Sequence, residues 1–243
     1  MPLELVSAPP RPVSRPLVMP RWNRSLPARL VRDFSHATWI NWFTHTFARM
    51  RVDGLEHLRT LSPPVIFAAN HQSHFDTPVL FAALPRRWRR RLAPLMLKDY
   101  FHAHFHPEEH SRAARLSSGT QYYLSALLFG AFPLPQNETG LRTALRYAAE
   151  LAAAGWSLLI FPEGQRNDTG EMTDFLPGVG LLAARLKIPV VPVRLRGTGA
   201  ALPKEANMIR RAAVEVRFGP PLRLAGRNYE ALADQIERAV RAL

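Results

Sequence analysis

The chain has 243 residues, 47% of them hydrophobic, with a formal net charge of +13 and no cysteine. That size suits one domain with a sizeable core, or one domain plus an N-terminal extension. Lack of cysteine excludes disulfides and thiol chemistry, which fits the cytoplasm without demanding it; no apolar run reaches the roughly 18 residues of a membrane span, and Pro9, Pro10, Pro12, Pro16 and Pro20 break up any signal-peptide core.

Residues 1–27 are rich in Pro and Arg, show no periodicity, and read as an irregular arm. Residues 28–51 read as an amphipathic helix. Trp39, Ile40, Phe43, Phe47 and Met50 recur at helical spacing, Trp42 adds aromatic area, and Arg29, Arg32, Arg49 and Arg51 flank them. The pattern fits a membrane-interfacial helix and equally a helix packed on a domain core; one helix can do both. Residues 52–243 form the main domain. Strands are expected over 65–69, 92–97, 132–134, 157–161, 190–195 and 214–218. Helices are expected from Thr77-Pro78, with Thr77 as cap and Pro78 in the first turn, then over 111–129, 140–154, 177–186 and 229–243. This alternation predicts an α/β fold with a central, mostly parallel sheet flanked by helices, plus the N-terminal helical extension.

Two motifs fall just beyond strands, where ligands collect in such sheets. The first is Asn70-His71-Gln72-Ser73-His74-Phe75-Asp76. Five residues apart on a regular helix, His71 and Asp76 would lie about 140° apart. They face each other only if the chain turns from strand through loop to helix. Asp76 then fixes the imidazole tautomer, and the other ring nitrogen takes a proton from an attacking hydroxyl. No serine or cysteine nucleophile is implied, because the substrate brings its own hydroxyl. Taken alone, the same spacing describes a histidine satisfied near a helix start. The second motif is Phe161-Pro162-Glu163-Gly164-Gln165-Arg166-Asn167. Glu163-Gly164 makes a tight turn, and a buried Glu163 needs a partner. Arg166 either pairs with it or presents its guanidinium fork to a phosphate.

Together these blocks resemble the glycerolipid acyltransferase family, which includes the 1-acylglycerol-3-phosphate acyltransferases. His71-x4-Asp76 is similar to the family's first block, Phe161-Pro162-Glu163-Gly164-x-Arg166 to its third, and Ile188-Pro189-Val190-Val191-Pro192-Val193 to its fourth. In the second block Gly130 matches, but Gln136 stands where an arginine is usual, with Arg142 and Arg146 on the next helix available to compensate. Gln165 and Asn167 replace the usual small hydroxyl residues beside Arg166. The likeness covers about residues 65–195 well, the last fifty loosely, and the N-terminal arm not at all.

The resemblance implies a glycerol-3-phosphate acyltransferase-like fold. It also implies transfer of a fatty acyl group from acyl-CoA or acyl carrier protein to a lysophospholipid hydroxyl, most simply that of 1-acyl-sn-glycerol-3-phosphate; the departures leave another lysolipid or a glycolipid open as acceptor. His71 would be the base and Asp76 its orienter. Glu163, Gly164, Arg166, Gln136 and Asn70 would bind substrate, with Arg166 on phosphate. No metal or other cofactor is called for. The expected location is peripheral, on the cytoplasmic side of an anionic membrane.

The charge agrees. Arg86, Arg87, Arg89, Arg90, Arg91 and Lys98 carry six positive charges with no acid among them. That surplus suits an anionic membrane, an acidic carrier protein, a phosphorylated substrate or nucleic acid, or simply a solvated face. The chain has no recognisable nucleic-acid-binding motif, so no nucleic-acid partner is expected. The run His102-Ala103-His104-Phe105-His106-Pro107-Glu108-Glu109-His110 offers metal ligands, which would make the chain a metal-dependent hydrolase. It lacks an established ligand spacing and reads first as a polar helix or loop beside the acceptor cleft. An intact His71–Asp76 pair argues against a non-catalytic lipid binder.

Overall fold

The computed structural model describes residues 17–135, 138–166, 171–203, 206 and 208–243, with only the backbone of residues 138 and 139. After a short 3-10 turn at Arg21–Arg24, α1 (Leu26–Ser35) continues through a π-helical turn (His36–Ile40) into α2 (Asn41–Phe47). Then follow β1 (Ala48–Asp53), β2 (Ile66–Ala69), α3 (Asp76–Ala83), the one-turn α4 (Arg86–Arg89), β3 (Leu92–Leu97) and the one-turn α5 (His102–Phe105). The chain continues as α6 (Arg112–Phe129), β4 (Phe132–Leu134), α7 (Glu138–Ala153), β5 (Ser157–Ile160) and α8 (Gly178–Leu186). It closes with β6 (Val190–Arg196), the one-turn α9 (Thr198–Ala201), β7 (Ala212–Phe218) and α10 (Tyr229–Arg241).

The seven strands form one sheet in the order β1-β7-β6-β2-β5-β3-β4. Every pairing is parallel except β6 with β7. The expected mostly parallel α/β sheet is therefore present. β2 and β5 are buried along their whole length, as strands covered on both faces must be. Alternate side chains feed two cores. Ile66, Ala68, Leu158 and Ile160 pack under α7, α8 and α10. Phe67, Ala69, Leu159 and Val193 pack under α3 and Trp88.

The N-terminal segment departs from expectation. The helix ends at Phe47, and Ala48–Asp53 is a strand paired in parallel with β7. Ala48, Met50 and Val52 turn toward the sheet's core while Arg49 and Arg51 stay exposed. That period of two outweighs the helical reading of Met50. A boundary between an extension ending at 51 and a domain starting at 52 thus cuts through a strand. Of the irregular arm expected over 1–27, residues 1–16 lie outside the described residues. The remainder is ordered: Met19 joins the core and α1 begins at Leu26 behind a Ser25 cap.

Arg32 explains how α1 is held. Its side chain is buried, with Nε donating to Leu127 O at 2.9 Å and Nη2 donating to Asn23 O at 2.8 Å and Ala126 O at 3.2 Å. The guanidinium thereby caps the Leu127 carbonyl at the negative end of α6 and shares Ala126 O with the Gly130 N–H. Burial lowers its pKa to about 10, which still leaves it charged at neutral pH. Gly130, the left-handed cap of α6 at φ +71°, makes room for it: a Cβ there would lie 3.2 Å from the Arg32 guanidinium carbon. His36 continues the inner face, its Nε2 2.9 Å from Leu128 O and its ring stacked on Phe81.

Candidate active site

β2, β3, β4, β5 and β6 run in the same direction, so their carboxyl ends share one edge of the sheet. The β2–β5 register pairs Ala68 with Ile160. Continued three residues along both strands, it brings His71 opposite Glu163. The motifs, 92 residues apart in sequence, meet there: the His71 N–H donates to Glu163 Oε1 at 2.7 Å.

The first motif turns as its chemistry requires, by a different device from the one expected. The helix starts at Asp76 itself, preceded by Phe75, and Thr77 is not its cap. Asp76, fully buried, turns its carboxylate back onto the loop. Its Oδ2 accepts from the Gln72 N–H at 2.7 Å, the Ser73 N–H at 2.9 Å and His71 Nδ1 at 2.7 Å. Loop N–H groups here have no strand partner, and a carboxylate satisfies several at once. Because an ionised carboxylate only accepts, Nδ1 carries the proton. Neutral His71 therefore presents Nε2 as an unprotonated base. Its side chain keeps 19% of its surface exposed, while Phe161 stacks on the ring at 4.2 Å between centroids. The aromatic wall and the Asp76 bond fix the ring plane.

Glu163 is buried and partnered, though not by Arg166. Oε1 holds the His71 N–H, and Oε2 accepts from Thr173 N and Thr173 Oγ1, both at 2.9 Å. Arg194 on β6 supplies a compensating positive charge nearby. Glu163 thus clamps the His71 loop to the loop after β5, and its carboxylate is occupied within the protein. Gly164 takes φ +70° and its N–H donates to Phe161 O at 3.2 Å, so what it gives the site is the tight turn. Asn70 is redirected as well. It is buried, with Nδ2 donating to Leu195 O at 2.9 Å and Oδ1 accepting from the Leu195 N–H at 2.7 Å. An amide spent on both backbone groups of one β6 residue anchors the loop and does not face a ligand.

Arg166 is half-buried at the edge of this cleft, close enough to depress the pKa of His74. Desolvation is the larger cause there, Arg166 the second and His71 the third, and together they push the ring down to about 4. His74 is therefore neutral at pH 7, and its Nε2 lies 3.0 Å from the Tyr100 hydroxyl. Gln136 and Asn167 lie outside the described residues, while Arg142 and Arg146 are exposed on α7. Thr173 and Tyr100 are participants sequence reasoning missed, and to Phe161 and His74, though inside the motifs, it gives no role. The histidine and tyrosine gave no spacing signal, and Thr173 is recognisable only once the loop after β5 is seen to fold back.

A family model described as Acyltransferase matches residues 49–196. The chain is 25% identical over 223 residues to the chloroplastic 1-acyl-sn-glycerol-3-phosphate acyltransferase BAT2 of Brassica napus, covering 87% of this chain and 56% of that protein. To the human 1-acyl-sn-glycerol-3-phosphate acyltransferase alpha it is 25% identical over 197 residues, 79% of this chain and 62% of that protein. The chain thus spans little more than half the length of these curated relatives. The crystal structure of the 1-acyl-sn-glycerophosphate acyltransferase PlsC from Thermotoga maritima shares the fold, with a TM-score of 0.57, 19% identity, and coverage of 90% of this chain and 96% of that one.

Proposed function

Because this chain belongs to the Acyltransferase family, we propose that it moves a fatty acyl group from acyl-CoA or acyl carrier protein to the free hydroxyl of 1-acyl-sn-glycerol-3-phosphate. The observation that carries this reading is the 2.7 Å bond from His71 Nδ1 to Asp76 Oδ2, which leaves Nε2 as the base. The acceptor hydroxyl gives its proton to Nε2 as its oxygen attacks the thioester carbonyl. As the tetrahedral intermediate collapses, the C–S bond breaks and the imidazolium returns the proton to the departing thiolate. Asp76 stabilises the imidazolium in between. The relatives' names support lysophosphatidate as acceptor. The test is mass spectrometry of products from a panel of lysolipids, with phosphatidate as the expected product. Acylation of every acceptor except lysophosphatidate would favour the other lysolipid or glycolipid reading that Gln136 raises.

Arg166 is assigned to the acceptor phosphate. A charge-assisted hydrogen bond contributes about 1.5–3 kcal/mol, so Arg166→Ala is expected to raise the acceptor KM roughly 10- to 100-fold and leave the donor KM in place. Unchanged KM values for both substrates would remove Arg166 from the phosphate.

The protein would work at an anionic membrane surface. No described helix is long and apolar enough to cross a membrane. α1, the π-helical turn and α2 instead turn Leu26, Leu30, Phe34, Trp39 and Trp42 outward, Trp42 with 69% of its surface exposed. Leu116, Tyr123 and Leu124 are exposed on α6, the helix against which α1 packs. Such a face beside arginines suits the headgroup–acyl boundary. The same helical segment buries Arg32, His36 and Ile40 inward, so it would serve membrane and core together. Deleting it would strip the cap from α6, so point changes are the cleaner probe. Trp39→Ala combined with Trp42→Ala is expected to weaken co-sedimentation with anionic vesicles at least about tenfold. Unaltered sedimentation would make these tryptophans irrelevant to docking.

A further inference from the structure

The segment joining β3 to α6 divides its side chains between two directions. Phe101, His104 and Phe105 all pack on Tyr122 of α6, at 5.6, 4.5 and 5.3 Å between ring centroids. His102 and His106 point the other way. They are one helical turn apart and stack on each other at 4.5 Å. The 3-10 turn at Pro107–Glu109 then brings the chain back, so that His102 Nδ1 and His110 Nε2 face each other at 2.8 Å. One ligand atom each from His102, Glu109 and His110 lies within 4.8 Å of the others. Glu109 also approaches His106, its Oε1 4.0 Å from His106 Nδ1.

We propose that His102, Glu109 and His110 bind a divalent transition metal of the zinc class, at an accessory site outside the catalytic machinery. Two imidazoles and a carboxylate form a ligand set that such ions favour over magnesium or calcium, with a fourth position left to water. The His102–His110 distance is close to what is needed, while Glu109, whose Oε2 lies 3.8 Å from the other His102 nitrogen, Nε2, must swing toward the metal. Zn–N bonds of about 2.1 Å at a tetrahedral angle hold two ligand nitrogens about 3.4 Å apart, so the His102–His110 pair, now 2.8 Å apart, opens by only about 0.6 Å when a metal replaces the shared proton. Backbone turns already set the ligands, which reduces the ordering that binding requires. The metal would also brace a segment whose Tyr100 bonds His74 in the catalytic loop. The sequence offers metal ligands here but reads first as a polar helix or loop, because no established spacing links 102, 109 and 110; the turn at Pro107–Glu109 brings them together.

The experiment is calorimetric titration of Zn²⁺ into the full chain, purified without a histidine tag and stripped with chelator, with the thermal midpoint followed in parallel. One Zn²⁺ per chain and a raised midpoint are expected. His102→Ala and His110→Ala should each weaken binding by more than the roughly 10- to 100-fold that outer-shell changes produce. Glu109→Gln, which keeps the side chain's shape, should weaken it as well. His45→Ala, at an exposed histidine of α2, should leave binding intact. No saturable one-to-one binding, or binding indifferent to the His102 and His110 changes, overturns the proposal, and neither readout depends on acyl transfer.

Discussion

His71→Ala is expected to lower acyl transfer by about 10²–10⁴-fold, the range in which positioned general bases contribute. The fold should survive. The His71 side chain is at the cleft, and its ring bonds one partner, Asp76, whose Oδ2 keeps two backbone N–H donors after truncation. The backbone N–H of residue 71, which holds Glu163, is untouched by the substitution. Far-ultraviolet dichroism and thermal midpoint should therefore stay near wild type while turnover collapses. Turnover within a few-fold of wild type in a folded variant would remove His71 from the chemistry.

Asp76→Asn should produce a loss in the same range, with a stability penalty added. Asp76 is buried to 0% exposure, and its Oδ1 has no hydrogen-bond partner among the described residues. In the variant the amide oxygen best replaces Oδ2, where the Gln72 and Ser73 N–H groups converge. That leaves the NH₂ where Oδ1 was, a buried donor without an acceptor, costing about 1–3 kcal/mol. The alternative flip sets the NH₂ against two backbone donors. In the better flip His71 keeps a hydrogen bond but loses the negative charge that stabilises its imidazolium. Turnover should then fall by about 10²–10⁴-fold with substrate KM values little changed. A variant with wild-type kcat would show that Asp76 builds the loop and does not assist the base.

The parallel sheet was legible because its central strands are short apolar runs bounded by Pro, Gly or Asn, and β2 and β5 are buried end to end. The meeting of His71 and Asp76 was legible too, since five residues can face inward only across a turn. What the residues could not disclose was how partners are shared out. Glu163 reads as the partner of Arg166, three residues on, but the β2–β5 register hands it the His71 N–H and the returning loop hands it Thr173. Asn70 reads as a ligand contact beside the base, but β6 lies next to β2 and takes both ends of its amide. Arg32 reads only as one of four arginines flanking a helix that suits membrane or core alike, and only the docking of α1 against α6 reveals it as a cap. Each misreading concerns a polar group whose partner lies far away in sequence, which periodicity does not encode. β1 was lost for another reason: Met50 satisfies the helical and the strand period together.

The most direct test is thiol release from acyl-CoA and from acyl carrier protein, with and without 1-acyl-sn-glycerol-3-phosphate, joined to intact-protein mass measurement. If the lysolipid hydroxyl attacks the thioester directly under base catalysis by His71, release requires the lysolipid, matches phosphatidate formed one for one, and leaves the protein's mass unchanged. A burst of thiol without acceptor, accompanied by an acyl adduct on the protein, would contradict the account.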